Sequence, residues 1–187
     1  MVVSSLAYLH ASFGHKVAVV DCDLRKPAAH IDLGVPLQPG LVDFLAGEAT
    51  LQEVMHKDPR FGIDVIPAGD ETRNPAGLLA SDGMKTLLTT LALSHDLVIL
   101  DSSPVLSVSD TLALARLADK TVFLVRWAES RQAWALRGLR SLVDAGAKLA
   151  GVLLSRVDVK KHASYGYGDS GLYYGRVTEY HRRTPPP

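Results

Sequence analysis

Two groups of acidic residues each follow a short apolar run, and their spacing could support metal and phosphate chemistry. In the first group, a four-residue apolar run leads into Asp21 and Asp23, and Arg25 follows. In the second, the run from 97 to 100 leads directly into Asp101. Mg²⁺ prefers oxygen ligands and takes only one or two protein carboxylates beside substrate phosphates. The pattern predicts a metal and nucleotide site, and the alternative is a pair of solvated acidic loops.

The elements that would position these acids alternate between strand and helix. Short apolar runs, typical of buried parallel strands, occupy residues 17–20, 63–66, 97–100, 121–125 and 149–154. Stretches with helical spacing occupy residues 2–13, 82–93, 110–117 and 130–143. This alternation predicts a doubly wound α/β sheet, in which ligands bind outside the carboxyl ends of the strands.

The first helical stretch has one apolar face. Its apolar side chains recur at steps of four, three and four, at Val2, Leu6, Leu9 and Phe13. Gly14 follows and is well placed to end the helix, because glycine readily adopts the left-handed backbone conformation found there.

Composition limits the kind of protein this is. The 187 residues are 47% hydrophobic and 21% charged, which suits one globular domain with a sizeable core. Lysine plus arginine and aspartate plus glutamate number 20 each, so we expect no nucleic-acid partner. The single cysteine, Cys22, lies between two acids and is expected to be an inert packing residue in a reducing, cytosolic compartment. No apolar run approaches the roughly 18 to 20 residues that span a bilayer.

The residues around the first acidic group resemble a known motif. The run from Val19 to Pro27 resembles the Walker A′ motif of bacterial tyrosine kinases, which are relatives of MinD and ParA in the deviant-Walker branch of P-loop NTPases. The second acidic group resembles a Walker B element. Further landmarks of these kinases follow in the expected order, at residues 40–47, 74–81, 99–104 and 151–158. The sequence departs from the pattern at Ser103, where the kinases often have proline, and at Ser155, where related ATPases often have an adenine-contacting asparagine.

The resemblance implies a fold and a set of site residues. Residues 1–158 would form a P-loop NTPase-like, mainly parallel sheet, followed by a flexible tail rich in tyrosine and glycine over 159–187. The catalytic residues implied are Asp21, Asp23 and Asp101, of which Asp21 and Asp101 would hold Mg²⁺. The residues implied to contact ATP are Arg25, Ser155 and Arg156. The autophosphorylation sites implied are Tyr165, Tyr167, Tyr173, Tyr174 and Tyr180.

The sequence contains no G-x-x-x-x-G-K-[ST], the loop whose backbone N–H groups cradle phosphates. In the kinases this loop leads into a helix like the first one here. The resemblance to these kinases implies that the chain is truncated just after the phosphate loop and lacks the first strand of the sheet. Loss of that strand would leave unpaired backbone groups and an apolar gap, and we expect kinase activity to be impaired.

The resemblance implies an autophosphorylating protein-tyrosine kinase that regulates exopolysaccharide or capsule biosynthesis and export. Its expected partners are copies of itself, other tyrosine-containing proteins, and the cytoplasmic segment of a membrane polysaccharide co-polymerase. That last partner would hold it at the inner face of the membrane. Two alternatives remain open: a MinD- or ParA-like ATPase switch, which has no need of clustered tyrosines, and a non-catalytic scaffold that binds a polysaccharide co-polymerase.

Overall fold

A computed structural model of the chain describes residues 2–107, 110–158 and 161. Helices and strands alternate along it. The helices are α1 (Val2–Ser12), α2 (Ala29–Leu33), α3 (Leu41–Ala46), α4 (Leu51–Val54), α5 (Pro75–Leu79), α6 (Asp82–Ser94), α7 (Asp110–Leu117) and α8 (Gln132–Asp144). The strands are β1 (Val17–Asp21), β2 (His56–Lys57), β3 (Asp64–Ile66), β4 (Leu97–Asp101), β5 (Thr121–Arg126) and β6 (Leu149–Ser155). Each of the five predicted strands and four predicted helices is present. The short elements β2, α2, α3, α4 and α5 were not predicted.

A four-stranded sheet carries the acidic groups. Its strand order is β2-β3-β1-β4, with β2 antiparallel to β3 and the other pairs parallel. The mainly parallel, doubly wound architecture that the sequence predicts is therefore confirmed. Within the sheet, Val17 pairs with Leu97 and the register runs without interruption to Asp21 opposite Asp101.

Strand β1 is buried along its whole length because helices cover both faces of this sheet. Successive side chains of a strand point to opposite faces. Ala18 and Val20 accordingly join an apolar cluster with Met84 and Leu87 of α6 and Leu114 of α7. Val17 and Val19 join a second cluster on the other face, which includes Ala7 of α1 and Leu33 of α2. The two clusters hold the acid-bearing strands in a three-layer arrangement.

The remaining two strands form a separate sheet. In the described residues β5 pairs in parallel with β6 alone, and β4 pairs with β1 alone, so the sheet divides between β4 and β5. The prediction that β5 and β6 are buried is wrong. Val122 and Leu154 are each more than half exposed, because within residues 2–107 and 110–158 this sheet has no second covering layer like that of the larger sheet.

The apolar face predicted for α1 is its exposed face. Leu6, Leu9 and Phe13 are 39%, 51% and 70% exposed, whereas Ser4 and Ala7 are buried against the rest of the protein. Val3, Tyr8 and Ala11 pack partly buried against the same cluster as Ala7, so this face of the helix is its packing face. Gly14 ends the helix with a φ of 84°, as predicted. Across the described residues, no helix combines the length and apolar character that crossing a membrane requires.

Candidate active site

Asp21 lies at the carboxyl end of β1, and the loop that follows wraps around its carboxylate. The side chain is completely buried. Its Oδ1 accepts a hydrogen bond from Asp23 N (3.1 Å), and its Oδ2 accepts from Ala28 N (3.2 Å) and Ala29 N (3.1 Å). Asp21 therefore fixes the path of the loop as well as placing negative charge at the sheet edge.

Burial raises the pKa of Asp21 from 3.8 to about 6. The three backbone N–H donors act in the opposite direction, because they favour the ionised form, and the nearby charge of Asp101 adds to the increase. Asp101 stands opposite Asp21 on the neighbouring strand, and adjacent strands lie roughly 4.8 Å apart. Burial also raises the pKa of Asp101, and the charge of Asp23 contributes. The three carboxylates thus share one electrostatic environment.

Asp23 is half-buried and organises the turn after β1. Its Oδ1 accepts hydrogen bonds from Arg25 N (3.3 Å) and Lys26 N (3.1 Å). The same oxygen accepts a short hydrogen bond of 2.6 Å from Ser103 Oγ, which comes from the loop after β4. The two strand-end loops are therefore joined through Asp23.

A second connection between these loops uses Asp110, which the sequence analysis did not identify as a site residue. Asp110 is the first residue of α7 and is 2% exposed. Arg25 Nε donates to its Oδ2 (2.7 Å), and Arg25 Nη2 donates to its Oδ1 (3.4 Å). This hydrogen bond raises the pKa of Arg25. An acid in the first turn of a helix is ordinarily explained by the helix dipole, so no local sequence pattern assigns Asp110 to the site.

Two residues implied to contact nucleotide lie at the carboxyl end of β6 in the smaller sheet. Ser155 ends β6 in the separate sheet, and its Oγ donates to Val125 O (3.3 Å). Arg156 is exposed and has a left-handed backbone with a φ of 57°. Among the described residues, no hydrogen bond or ion pair joins either of them to the three aspartates. All five tail tyrosines lie outside the described residues.

Cys22, between Asp21 and Asp23, is 1% exposed and belongs to the apolar cluster that contains Ala18 and Val20. Burial raises the pKa of its thiol, and the charges of Asp21 and Asp101 add to the effect. The predicted packing role of Cys22 is confirmed.

The acids at this edge fit a magnesium ion that keeps its water shell. Within the parts of the chain that the structure describes, no three metal-binding side chains come together as a ready-made cage. Magnesium does not need one, because it dehydrates reluctantly and usually takes one or two carboxylates. Asp21 and Asp101 stand at neighbouring strand ends and raise each other's energy as anions, which a divalent cation would relieve.

A doubly wound, mainly parallel sheet with acids at the carboxyl ends of adjacent strands is the frame that P-loop NTPase domains share with other nucleotide-binding α/β domains. A protein family described as AAA domain matches residues 1–156. Tyrosine-protein kinase YwqD of Bacillus subtilis is 30% identical over 164 residues, which are 88% of this chain and 69% of the relative. The chain belongs to this AAA domain family and, within it, to the bacterial tyrosine kinases.

Two further similarities agree with this assignment. A putative tyrosine-protein kinase, EpsB of Ralstonia nicotianae, is 34% identical over 175 residues, which are 94% of this chain. The chain spans only 23% of the length of EpsB. The solved kinase domain of the Escherichia coli tyrosine kinase ETK superposes with a TM-score of 0.79 at 31% identity, covering 84% of this chain and 63% of that domain. The fold and the family predicted from the sequence are both confirmed.

Proposed function

We propose that this chain carries the metal-binding edge of an ATP-dependent protein-tyrosine kinase domain. The observation that carries the proposal is the register of the sheet, which sets Asp21 opposite Asp101 at the ends of adjacent parallel strands. Membership of the bacterial tyrosine kinases supports phosphoryl transfer over other uses of such an edge. We also propose that the domain ends at residue 158. Its proposed site residues are Asp21, Asp23, Asp101, Arg25, Ser155 and Arg156.

The side chains have distinct roles in this proposal. Asp21 and Asp101 would hold magnesium, which when bound would neutralise phosphate charge. Asp23 has an oxygen, Oδ2, to which no described residue donates, and this oxygen accepts the proton of the attacking tyrosine hydroxyl. Arg25 is half exposed at the same edge and offers positive charge to a phosphate. Ser155 and Arg156, at the end of β6, would contact the nucleotide from the β5–β6 sheet.

The acceptors we propose are Tyr165, Tyr167, Tyr173, Tyr174 and Tyr180. Each phosphate adds a charge of roughly −1.5 to −2 at neutral pH. Several such groups within one tail repel each other and weaken contacts between copies of the chain. By analogy with the kinases it resembles, the domain would act in exopolysaccharide or capsule biosynthesis at the inner face of the membrane. There it would respond to the cytoplasmic segment of a polysaccharide co-polymerase.

The test is transfer of labelled phosphate from magnesium-ATP to the chain, with the modified tyrosines mapped. Because the sequence contains no glycine-rich phosphate loop, the assay compares this chain with a version extended upstream through any in-frame loop of that type. We expect strong labelling of the extended version and little or none of the 187-residue chain. Asp101→Asn should abolish the labelling, whereas Asp119→Asn, at an exposed aspartate of α7's trailing loop, should leave it unchanged.

Absence of labelling in both versions, with the co-polymerase segment present, would overturn the kinase proposal. ATP hydrolysis that persists after all five tail tyrosines are changed to phenylalanine would instead favour the ATPase switch. Binding of the co-polymerase segment that survives Asp21→Asn and Asp101→Asn, without any turnover, would favour the scaffold.

A further inference from the structure

We infer that Ser103 is a positioning residue that orients the carboxylate of Asp23 for the reaction. The inference rests on the proposed function for its catalytic consequence, but its geometric part can be tested without activity. Ser103 belongs to the loop after β4, whereas Asp23 belongs to the loop after β1. The hydroxyl of Ser103 therefore fixes one strand-end loop relative to the other.

The hydrogen bonds at Asp23 are concentrated on one oxygen. Oδ1 accepts from Ser103 Oγ at 2.6 Å, from Lys26 N at 3.1 Å and from Arg25 N at 3.3 Å. Among the described residues nothing donates to Oδ2. A carboxylate turns easily about its last side-chain bond, because that torsion has broad, roughly two-fold preferences. Three donors on Oδ1 hold the group in one orientation and leave Oδ2 available.

Ser103 is itself held in place, which it must be in order to orient another group. It is 5% exposed, and its carbonyl oxygen accepts a 2.6 Å hydrogen bond from Thr111 Oγ1, which is also buried. Thr111 is the second residue of α7, directly after Asp110, which binds Arg25. The first two residues of α7 therefore support both connections to the loop after β1.

Of the three donors to Oδ1, the hydroxyl of Ser103 is the only one that a side-chain substitution removes. The other two are backbone N–H groups of the same turn and would remain. A hydroxyl donating to a carboxylate makes a short and comparatively strong hydrogen bond. Without the hydrogen bond from Ser103, the Asp23 carboxylate keeps its charge and its hydrogen bonds to the backbone of the turn. It loses the contact that fixes it to the loop after β4.

The geometric test uses the full 187-residue chain and measures exchange of the Arg25 and Lys26 amide protons with solvent by NMR. In Ser103→Ala we expect these two amides to exchange several-fold faster, because the carboxylate that accepts from them is no longer fixed. Ser103→Thr keeps the hydroxyl and should restore slow exchange. Ser141→Ala, which removes a hydroxyl from α8 that donates to Arg137 O, is the matched control.

The catalytic test uses whichever version of the chain transfers phosphate. We expect Ser103→Ala to lower kcat about tenfold, the loss typical when one hydrogen bond to a charged group is removed. The KM for magnesium-ATP should stay within about twofold, since charge at the metal edge is unchanged. Ser103→Thr should recover most of kcat. If Ser103 had a purely structural role, Ser103→Ala would lower the melting temperature and leave both kcat and the KM for magnesium-ATP unchanged.

Unchanged amide exchange in a folded Ser103→Ala variant would overturn the inference. If that variant does not fold, Ser103→Cys, which keeps the volume and weakens the donor, must give intermediate exchange for the inference to stand. Faster amide exchange in Ser103→Ala, combined with no phosphate transfer by either the unsubstituted chain or its extended version with the co-polymerase segment present, would support the positioning of Asp23 and refute the proposed kinase function. The positioning role of Ser103 and the kinase function can therefore be refuted independently.

Discussion

Among single residues, Asp21 links the stability of the fold to pH most directly. Its carboxylate is completely buried at the end of β1, and burial outweighs the three backbone N–H donors, so its pKa rises from 3.8 to about 6. Between about pH 4 and pH 6 the folded chain therefore binds more protons at this site than the unfolded chain does. Asp21 costs no stability below that window, and its unfavourable contribution grows as the pH rises through it.

We predict that Asp21→Asn removes this part of the pH dependence. The difference between the two pKa values corresponds to roughly 3 kcal/mol of unfolding free energy lost by the unsubstituted chain between about pH 4 and pH 7. The variant has no titrating group there, so its free energy of unfolding should fall less over the same range. Urea denaturation at a series of pH values measures both slopes. Asparagine offers one acceptor oxygen where the carboxylate offers two to the three N–H donors, so the absolute stability also changes and only the slope is diagnostic.

In the same measurement, Asp119→Asn serves as the control, because Asp119 is exposed and should leave the slope unaltered. If the unfolding free energies of Asp21→Asn and the unsubstituted chain change equally with pH, burial does not raise the pKa of Asp21.

The sequence identified the acids of this site but not the residues that hold them. Asp21 and Asp101 could be found because each directly follows an apolar run, a signal contained in a few consecutive residues. Asp110 and Ser103 reach their partners across 85 and 80 positions of the chain, so no local pattern reports those contacts. Ser155 and Arg156 were assigned from resemblance alone, and the division of the sheet, which places them in a different sheet from the acids, depends on strand pairing that the sequence does not reveal.

Among the secondary-structure elements, α3 shows how closely a short helix packs against the segment that follows β3. Gly40 precedes α3, and its Cβ, if it had one, would lie 2.4 Å from Gly69 N and 2.5 Å from Pro67 O. Two backbone hydrogen bonds fix the same contact, from Leu41 N to Pro67 O (2.7 Å) and from Val42 N to Ala68 O (2.9 Å). Glycine is required there by the close approach of two backbones.

We predict that Gly40→Ala destabilises the chain by about 3 kcal/mol, at the upper end for overpacking, because a backbone segment must move and its hydrogen bonds weaken. Thermal or urea unfolding followed by circular dichroism measures the loss. Gly151→Ala in β6 is the matched control, since a Cβ there meets nothing within 4 Å, and its effect should stay within about 0.5 kcal/mol. Similar stabilities for the two variants would contradict the close contact.

The elements themselves were predictable to different degrees. Strands β1 and β4 and the long helices α6 and α8 have enough residues for their periodicity to be visible. Helices of four to six residues such as α4 contain little more than one turn, so hydrophobic spacing does not distinguish them from loops. The exposed apolar face of α1 shows a further limit, because periodicity reveals which side chains share a face but not which face is packed.

For the whole molecule, the decisive feature is the division of the sheet between β4 and β5. The larger sheet is packed on both faces by apolar clusters that include residues of α1, α2, α6 and α7. Leu142 of α8 is buried but belongs to neither cluster. The region made of β5, α8 and β6 is joined to the rest through contacts such as Arg116 Nε to Ala145 O (2.8 Å). The two regions therefore differ in how much apolar surface supports them.

A difference of this kind predicts two cooperative units with different opening free energies. In limited proteolysis with trypsin, the first cuts should fall at Lys120, Arg131 and Lys148, before those in the larger sheet. Leu142→Ala should accelerate these cuts selectively, whereas Leu87→Ala, in the main cluster, should accelerate cleavage throughout the chain. Simultaneous cleavage of both regions would show that the chain opens as one unit. If the units are separate, the β5–β6 region can unfold and refold repeatedly while the acids at the ends of β1 and β4 keep their arrangement.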